Sequence, residues 1–236
     1  METRLLLITA IAGMAWQAAA AERVPVLVEL FTSEGCSSCP PADRVLQRFD
    51  HEGPVQDAEV VVLSEHVDYW NSLGWRDPFS SAAMTQRQRD YAFRLHGDVY
   101  TPEMVVDGAK GFVGSDVAEA VKAILEAARA DKVALRVDVE GTEGKSKVRV
   151  HADRPVSGTL FVALARDEMR SKVTAGENNG KDLAHVAVVY QMVKVGKWEG
   201  AERAVEVGAI GSGVRVVAFV SDGVGGRVSA LGVARR

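Results

Sequence analysis

The sequence predicts an α/β domain, a mixed sheet flanked by helices, over residues 22–130, followed by a small all-β, sandwich-like domain over 131–236. Three observations predict it. Buried-strand patterns alternate with helical ones up to about residue 130. The texture then changes to short Val-rich runs separated by Gly, Asn, Asp and Ser. A length of 236 residues with 47% hydrophobic and 25% charged side chains lies in the ordinary globular range and can supply a sizeable core.

The first element is a leader. "METRLLLITAIAGMAWQAAAAERVP" has one Arg, an apolar stretch from Leu5 to about Ala15, and small residues Ala18 to Ala21 that offer an A-x-A cleavage site. The stretch is interrupted by Gln17 and falls short of the ~20 residues that span a bilayer, so residues 1–21 read as a cleaved secretory signal with no membrane span left after cleavage. The expected location is the periplasm or the exterior, where a disulfide persists.

"VPVLVELF" (24–31) suits a strand buried on both faces. From Ala42 the residues Val45, Leu46 and Phe49 fall at helical spacing, with Pro40 and Pro41 in the first turn, where a missing N–H costs least. "AEVVVLSEHVDYW" is a second buried strand running into a polar and aromatic loop. A helical insert occupies about 70–97, with Met84, Tyr91 and Leu95 on one face, a Ser80 or Ser81 start and a Gly97 stop. "TPEMVVDGAKGFVG" reads as strand, Asp107-Gly108 turn and return strand. Val117, Ala120, Val121, Ile124, Leu125 and Ala128 make an amphipathic helix with Asp116 and Glu119 near its start. Past Asp131, seven Val-rich runs with turns between them suggest an antiparallel sandwich.

Lys and Arg total 28 against 32 Asp and Glu, a formal net charge of -4 with no single-sign block, so nucleic acid is discounted as a partner. The chemistry gathers instead in "ELFTSEGCSSCPPAD" (29–43), which contains both cysteines of the chain. As a staple, a bridge closing four residues contributes only about 2 kcal/mol in the loop-entropy model. Structural zinc wants four ligands, and two thiols with no His pair at the right spacing do not supply them; no metal and no other cofactor is expected. Redox chemistry explains the placement. A thiolate at a helix N-terminus is stabilised by the dipole and the unpaired N–H groups, so Cys36 would attack and Cys39, one turn further in, would resolve the mixed disulfide. That reading requires the sulfur pair on an exposed crest.

"VELFTSEGCSSCPPAD", "EHVDYWNSLGWRDPFS", "YTPEMVVDG" and, more loosely, "GENNGKDLAH" with "VVY" resemble successive signature segments of a bacterial family of secreted thioredoxin-like proteins, domain of unknown function 1223. The resemblance covers most of the mature chain. It implies a thioredoxin-like fold, export and a dithiol–disulfide site at Cys36 and Cys39, and it supplies no substrate. In thioredoxin-like folds a cis-proline faces the cysteines, a place that Thr101-Pro102 would take, offering an edge on which a substrate strand docks. Such folds also carry an acid under the cysteines six positions before the first. Here Glu29 lies seven positions before, either as a proton acceptor for Cys39 or as a strand-end carboxylate reaching water. Ser37 and Ser38 can donate to a Cys36 thiolate or simply fit the turn.

The segment after the second strand places His66, Asp68, Tyr69, Trp70 and Trp75 at the edge where ligands gather in open α/β sheets. His66, Tyr69 and Trp70 are candidates for gripping a partner, although the Trp residues also suit packing of the insert. "GENNGKDLAH" is a loop that either reaches the cysteine-bearing domain or merely joins two strands. The expectation is an exported thiol–disulfide oxidoreductase acting on thiols or disulfides of other exported proteins and recycled by a redox partner. The alternatives are a Cu(I)-binding protein using the same two thiolates, with His66, and a binding module with a static disulfide.

Overall fold

A computed structural model of the protein describes residues 23–142 and 144–236; the leader expected over 1–21 lies outside the described residues. The chain runs β1 (Val24–Thr32), α1 (Cys39–Glu52), β2 (Ala58–His66), α2 (Ala82–Leu95), β3 (Glu103–Val106), β4 (Lys110–Val113), α3 (Val117–Ala127), β5 (Val133–Thr142), β6 (Lys145–Lys172), β7 (Asp182–Gly208), β8 (Val214–Ser221) and β9 (Val228–Arg235). No helix among the described residues is long and apolar enough to cross a membrane.

The expected class, an α/β thioredoxin-like domain with flanking helices and then a separate sandwich, is corrected. The protein is mostly β, 50% strand against 18% helix, and its strands form one sheet in the order β4-β3-β1-β2-β7-β6-β5-β9-β8. A parallel contact at Ser64↔Val188 joins β2 to β7, so the sheet continues from the first half of the chain into the second. Because β6 also pairs with β8, the circuit β6-β5-β9-β8 closes into a barrel instead of two facing sheets. Closure removes the free edges that a small sandwich would leave.

Two long strands account for four of the seven Val-rich runs. Strands β6 and β7 are 28 and 27 residues long, against a usual five or six, and each contains two of the seven runs seen in the sequence. Register shifts between His151 and Val156, Leu160 and Phe161, and Leu164 and Ala165 bend the pair without ending it. One end of β6 therefore pairs with β5 and the other with β8.

Strand parity divides the core. Leu160, Val162, Leu164, Val216, Ala218 and Val220 point into the barrel. Phe161, Ala163, Ala165, Val217 and Phe219, on the opposite faces of the same strands, join Val28, Leu30 and Leu46 in the other core. Both faces of β8 are thus buried, which explains its unbroken apolar run.

The helices start where side chains can satisfy their free N–H groups: Ser81 accepts from Met84 N, and Asp116 accepts from Glu119 N. Strand β1 carries α1 on one face, and α1 is bolted to the barrel by Arg215 on β8. Its guanidinium makes a two-pronged bond to Asp50 at 2.7 and 2.9 Å and a third, of 2.6 Å, to Asp167. Replacing Arg215 by Met leaves the buried Asp50 carboxylate with only the more distant Arg235, at 3.3 Å, and is expected to cost about 3 kcal/mol of stability, read from urea unfolding; a loss below about 1 kcal/mol would contradict this role.

Candidate functional site: the Cys36–Cys39 disulfide and its cover

The chain leaves β1 at Thr32, turns through Ser33–Ser38 and enters α1 at Cys39. Cys36 and Cys39 form a disulfide with Cα atoms 5.4 Å apart. The turn is held by Cys36 N donating to Ser33 O and Cys39 N to Cys36 O, and Ser38 Oγ stands 3.4 Å from Cys36 Sγ. So the pair occupies the predicted helix start. The exposed crest is corrected: both cysteines are 0% exposed, while Ser37 and Ser38 face solvent.

The cover is the connection between β6 and β7, the "GENNG" segment. Asn178, itself buried, donates Nδ2 to the carbonyls of both Glu34 (2.8 Å) and Cys36 (2.9 Å). Glu177 accepts a 3.0 Å hydrogen bond from Ser37 N, which holds its carboxyl below the usual range. Gly176 sits at φ +68° against Trp75, where a Cβ would stand 3.0 Å from that side chain, so only glycine fits without strain. The segment does reach the cysteine loop, the first of the two roles the sequence left open for it.

Beneath the pair lies a network of charged groups. Glu34 accepts from Trp75 Nε1 at 2.9 Å and from Ser171, and its Oε1 is 3.2 Å from His185 Nε2. His185 Nδ1 stands 3.8 Å from Asp43 Oδ1, which accepts a 3.0 Å bond from Thr32 Oγ1. His66 Nδ1 is 2.7 Å from Asp77 Oδ2, and the two imidazoles meet edge to face with centroids 4.6 Å apart, both against Phe79. Burial opposes charge on His185, yet Asp43 and Glu34 outweigh it and raise its pKa to about 10. Burial likewise pushes Glu34 and Asp77 up, but His185 with Ser171 and Trp75, and His66 respectively, hold both carboxyls below the usual range.

Of the predicted site residues, the structure brings Pro102 to the first turn of α1. Leu30, Ala42 and Pro102 surround Gly114, and the Thr101–Pro102 bond is cis. Thr101 accepts from Trp70 Nε1 at 2.8 Å, and Trp70 packs over Gly35, so Trp70 braces the cysteine loop. Tyr69 donates to Gln88 at 3.2 Å. His66 is wholly buried and is not at a rim.

Glu29 is not under the cysteines. It is bonded to Arg87 and Tyr91 of α2, in a buried cluster with Glu65. Burial pushes the Glu65 carboxyl well above its ordinary value, and the charge of Glu29 adds to that. Side chains alternate along a strand, so seven positions before Cys36 instead of six puts Glu29 on the face opposite Leu30 and α1. Asp43, Glu34, Asp77 and His185 were not singled out from the sequence. Asp43 had a signal, its place four residues after Cys39 on a helix; the others are joined only by folding. Among the described residues no group of three or more His, Cys, Asp or Glu has the geometry to hold a metal ion.

The family model for the protein of unknown function DUF1223 matches residues 27–220, and the chain belongs to that family. The fold is similar to the crystal structure of a protein from Agrobacterium tumefaciens, with 30% identity, a TM-score of 0.69, and coverage of 91% of this chain and 95% of that one. It is also similar in fold to HBP35 of Porphyromonas gingivalis, at 13% identity and a TM-score of 0.61, over 92% of this chain and 76% of that one. No curated protein matches.

The pKa of His185 has a thermodynamic consequence. It is higher folded, at about 10, than its ordinary 6.5, so the stability it contributes is full below pH 6.5 and is lost as pH rises through about 10. Urea unfolding across that interval should show the wild-type protein losing stability and a His185→Gln variant losing clearly less; parallel curves would contradict the assignment.

Proposed function

We propose that this is an exported protein that exchanges thiols and disulfides with other exported proteins through Cys36 and Cys39, behind a cover that must lift for each exchange. One observation carries the reading: the disulfide spans the start of α1 and is closed over by a separate segment held through hydrogen bonds. A helix start favours a thiolate once the bond is reduced, and a four-residue bridge adds little stability as a mere staple. A cover fastened by a few polar contacts opens at far less cost than global unfolding. Cys36 is the nucleophile and Cys39 the resolving thiol. Kinship with the thioredoxin-like superfamily is proposed for this site, its helix start and the Thr101–Pro102 segment beside α1, and not for the β-rich architecture. The partners are protein thiols or disulfides outside the cytoplasm, and a second redox protein restores the pair.

Complete burial of both sulfurs favours a second reading, a binding module whose disulfide never opens.

The two separate by experiment. Asn178→Ala with Glu177→Ala removes hydrogen bonds worth about 1.5 kcal/mol or more together, which raises the open fraction, and the rate of Cys36–Cys39 reduction by glutathione, about tenfold. A Cys39→Ser variant should hold a mixed disulfide between Cys36 and a disulfide-bearing peptide, an adduct the wild-type protein releases. If the bridge resists glutathione equally in wild-type and cover variants, and Cys39→Ser forms no adduct, the static reading replaces the exchange reading.

A further inference from the structure

Exchange at a buried disulfide poses a proton problem. When a partner thiolate attacks Cys36 Sγ, the Cys36–Cys39 bond breaks and its electron pair leaves on Cys39 Sγ, which needs a proton inside the protein. The partner's second thiol then loses a proton and attacks the mixed disulfide, freeing Cys36. Two electrons and two protons have passed from the partner dithiol, now a disulfide, to the cysteine pair. In the reverse direction Cys39 must give its proton up. Glu29, the acid that the sequence suggested, is on the wrong face of β1 and committed to Arg87 and Tyr91.

Asp43 has the placement that Glu29 lacks. It follows Cys39 by four residues on α1, so the two lie on one helix face with Cβ atoms about 5–6 Å apart. Side chains on a helix tilt toward its N-terminus, which aims Asp43 back at the turn containing Cys39. Thr32 Oγ1 donates to its Oδ1 at 3.0 Å, and His185 Nδ1 lies 3.8 Å from the same oxygen with no hydrogen-bond partner of its own. A distance of 3.8 Å is too long for a hydrogen bond, so the hold of His185 on Asp43 is coulombic. A cavity of about 190 Å³ between α1 and the start of β7 is lined by Pro40, Asp43, Gln47, Leu183 and Ala184, giving the buried carboxylate a path to water.

We infer that Asp43 exchanges the proton of Cys39 during disulfide exchange, with His185 as the positioning residue that holds the carboxylate and compensates its charge. This rests on the exchange reading above. The groups that face His185 are Glu34 from the loop after β1, Asp43 from α1 and His66 from β2, with Asp77 bonded behind His66; Arg44 and Asp182 stand at the cavity wall. In the oxidised protein Asp43 faces the His185 ring across that 3.8 Å. On bond cleavage a proton enters from water through the cavity and passes by way of Asp43 to the Cys39 thiolate, while His185 keeps its own proton and its place.

The test is the titration of Cys39 in the full chain. Cys36→Ser leaves Cys39 as the sole thiol, and its thiolate is followed by ultraviolet absorbance against pH. Asp43→Asn removes a negative neighbour and should lower the Cys39 pKa by about one unit, while His185→Gln removes a positive one and should raise it by a similar amount. Asp43→Glu should return the titration toward that of the parent. A side chain that only props the fold would not move the titration in opposite directions, so no shift, or shifts of one sign, overturns the inference. Should a variant lose its fold without the bridge, the pH profile of glutathione reduction in the disulfide-bonded protein serves instead. There Asp43→Asn must displace the profile, and an unmoved profile overturns the inference. If Cys39 titrates as expected but Cys39→Ser holds no adduct, the proton coupling stands and the exchange reading falls. If the adduct forms and the titration is unmoved, only the coupling is lost.

Discussion

One side-chain amide closes this site. Asn178 Nδ2 is shared between the carbonyl oxygens of Glu34 and Cys36, two residues within the turn that delivers the disulfide to α1. Buried carbonyls need a donor, and here it comes from a segment more than 140 positions away, between β6 and β7. The long, bent hairpin of β6 and β7 can supply it because it is joined both to the barrel and, through β2, to the sheet that carries the cysteine loop. Without that reach the disulfide would lie open on the helix end, as the sequence suggested. With it, chemistry at the sulfurs is tied to opening of the cover.

The floor of the site obeys the opposite rule from its lid. The lid is held by a few hydrogen bonds, from buried Asn178 and to exposed Glu177, whereas the floor is a set of buried charged groups that can persist only by pairing. Glu34 and Asp43 neutralise His185, and Asp77 pairs with His66. These pairs attach the loop after β1, α1 and β7 to one another, so the floor stays fixed while the lid moves. A charged floor beside the disulfide turn is more than a staple requires, and it gives the exchange reading a chemical basis that the bridge alone does not.

The sequence made the local elements legible and left the assembly hidden. Ser81, Asp116 and the two prolines after Cys39 announced helix starts through donors and dihedrals that act within a few residues. The seven Val-rich runs were read as separate strands because bulges at 151–156 and 160–165 interrupt the alternation without breaking the pairing, and only pairing tells one bent strand from two. Glu29 meets neither of the two roles open to it, proton acceptor or carboxylate reaching water, since a strand offers two faces and an offset of one residue exchanges them, here toward Arg87 and Tyr91. His185 and Asp43 carried no mark of their partnership, because 142 positions separate them and three-dimensional closure alone makes them neighbours.

Central to this account is that the cover opens locally while the sheet and barrel stay folded. Amide hydrogen exchange of the oxidised protein, resolved by segment, measures that directly. Residues 173–181 and the Ser37 amide that Glu177 covers should exchange together, orders of magnitude faster than β6 and β8, and with little dependence on denaturant. Exchange of these amides only at the rate of global unfolding would contradict local opening, leaving the disulfide permanently enclosed.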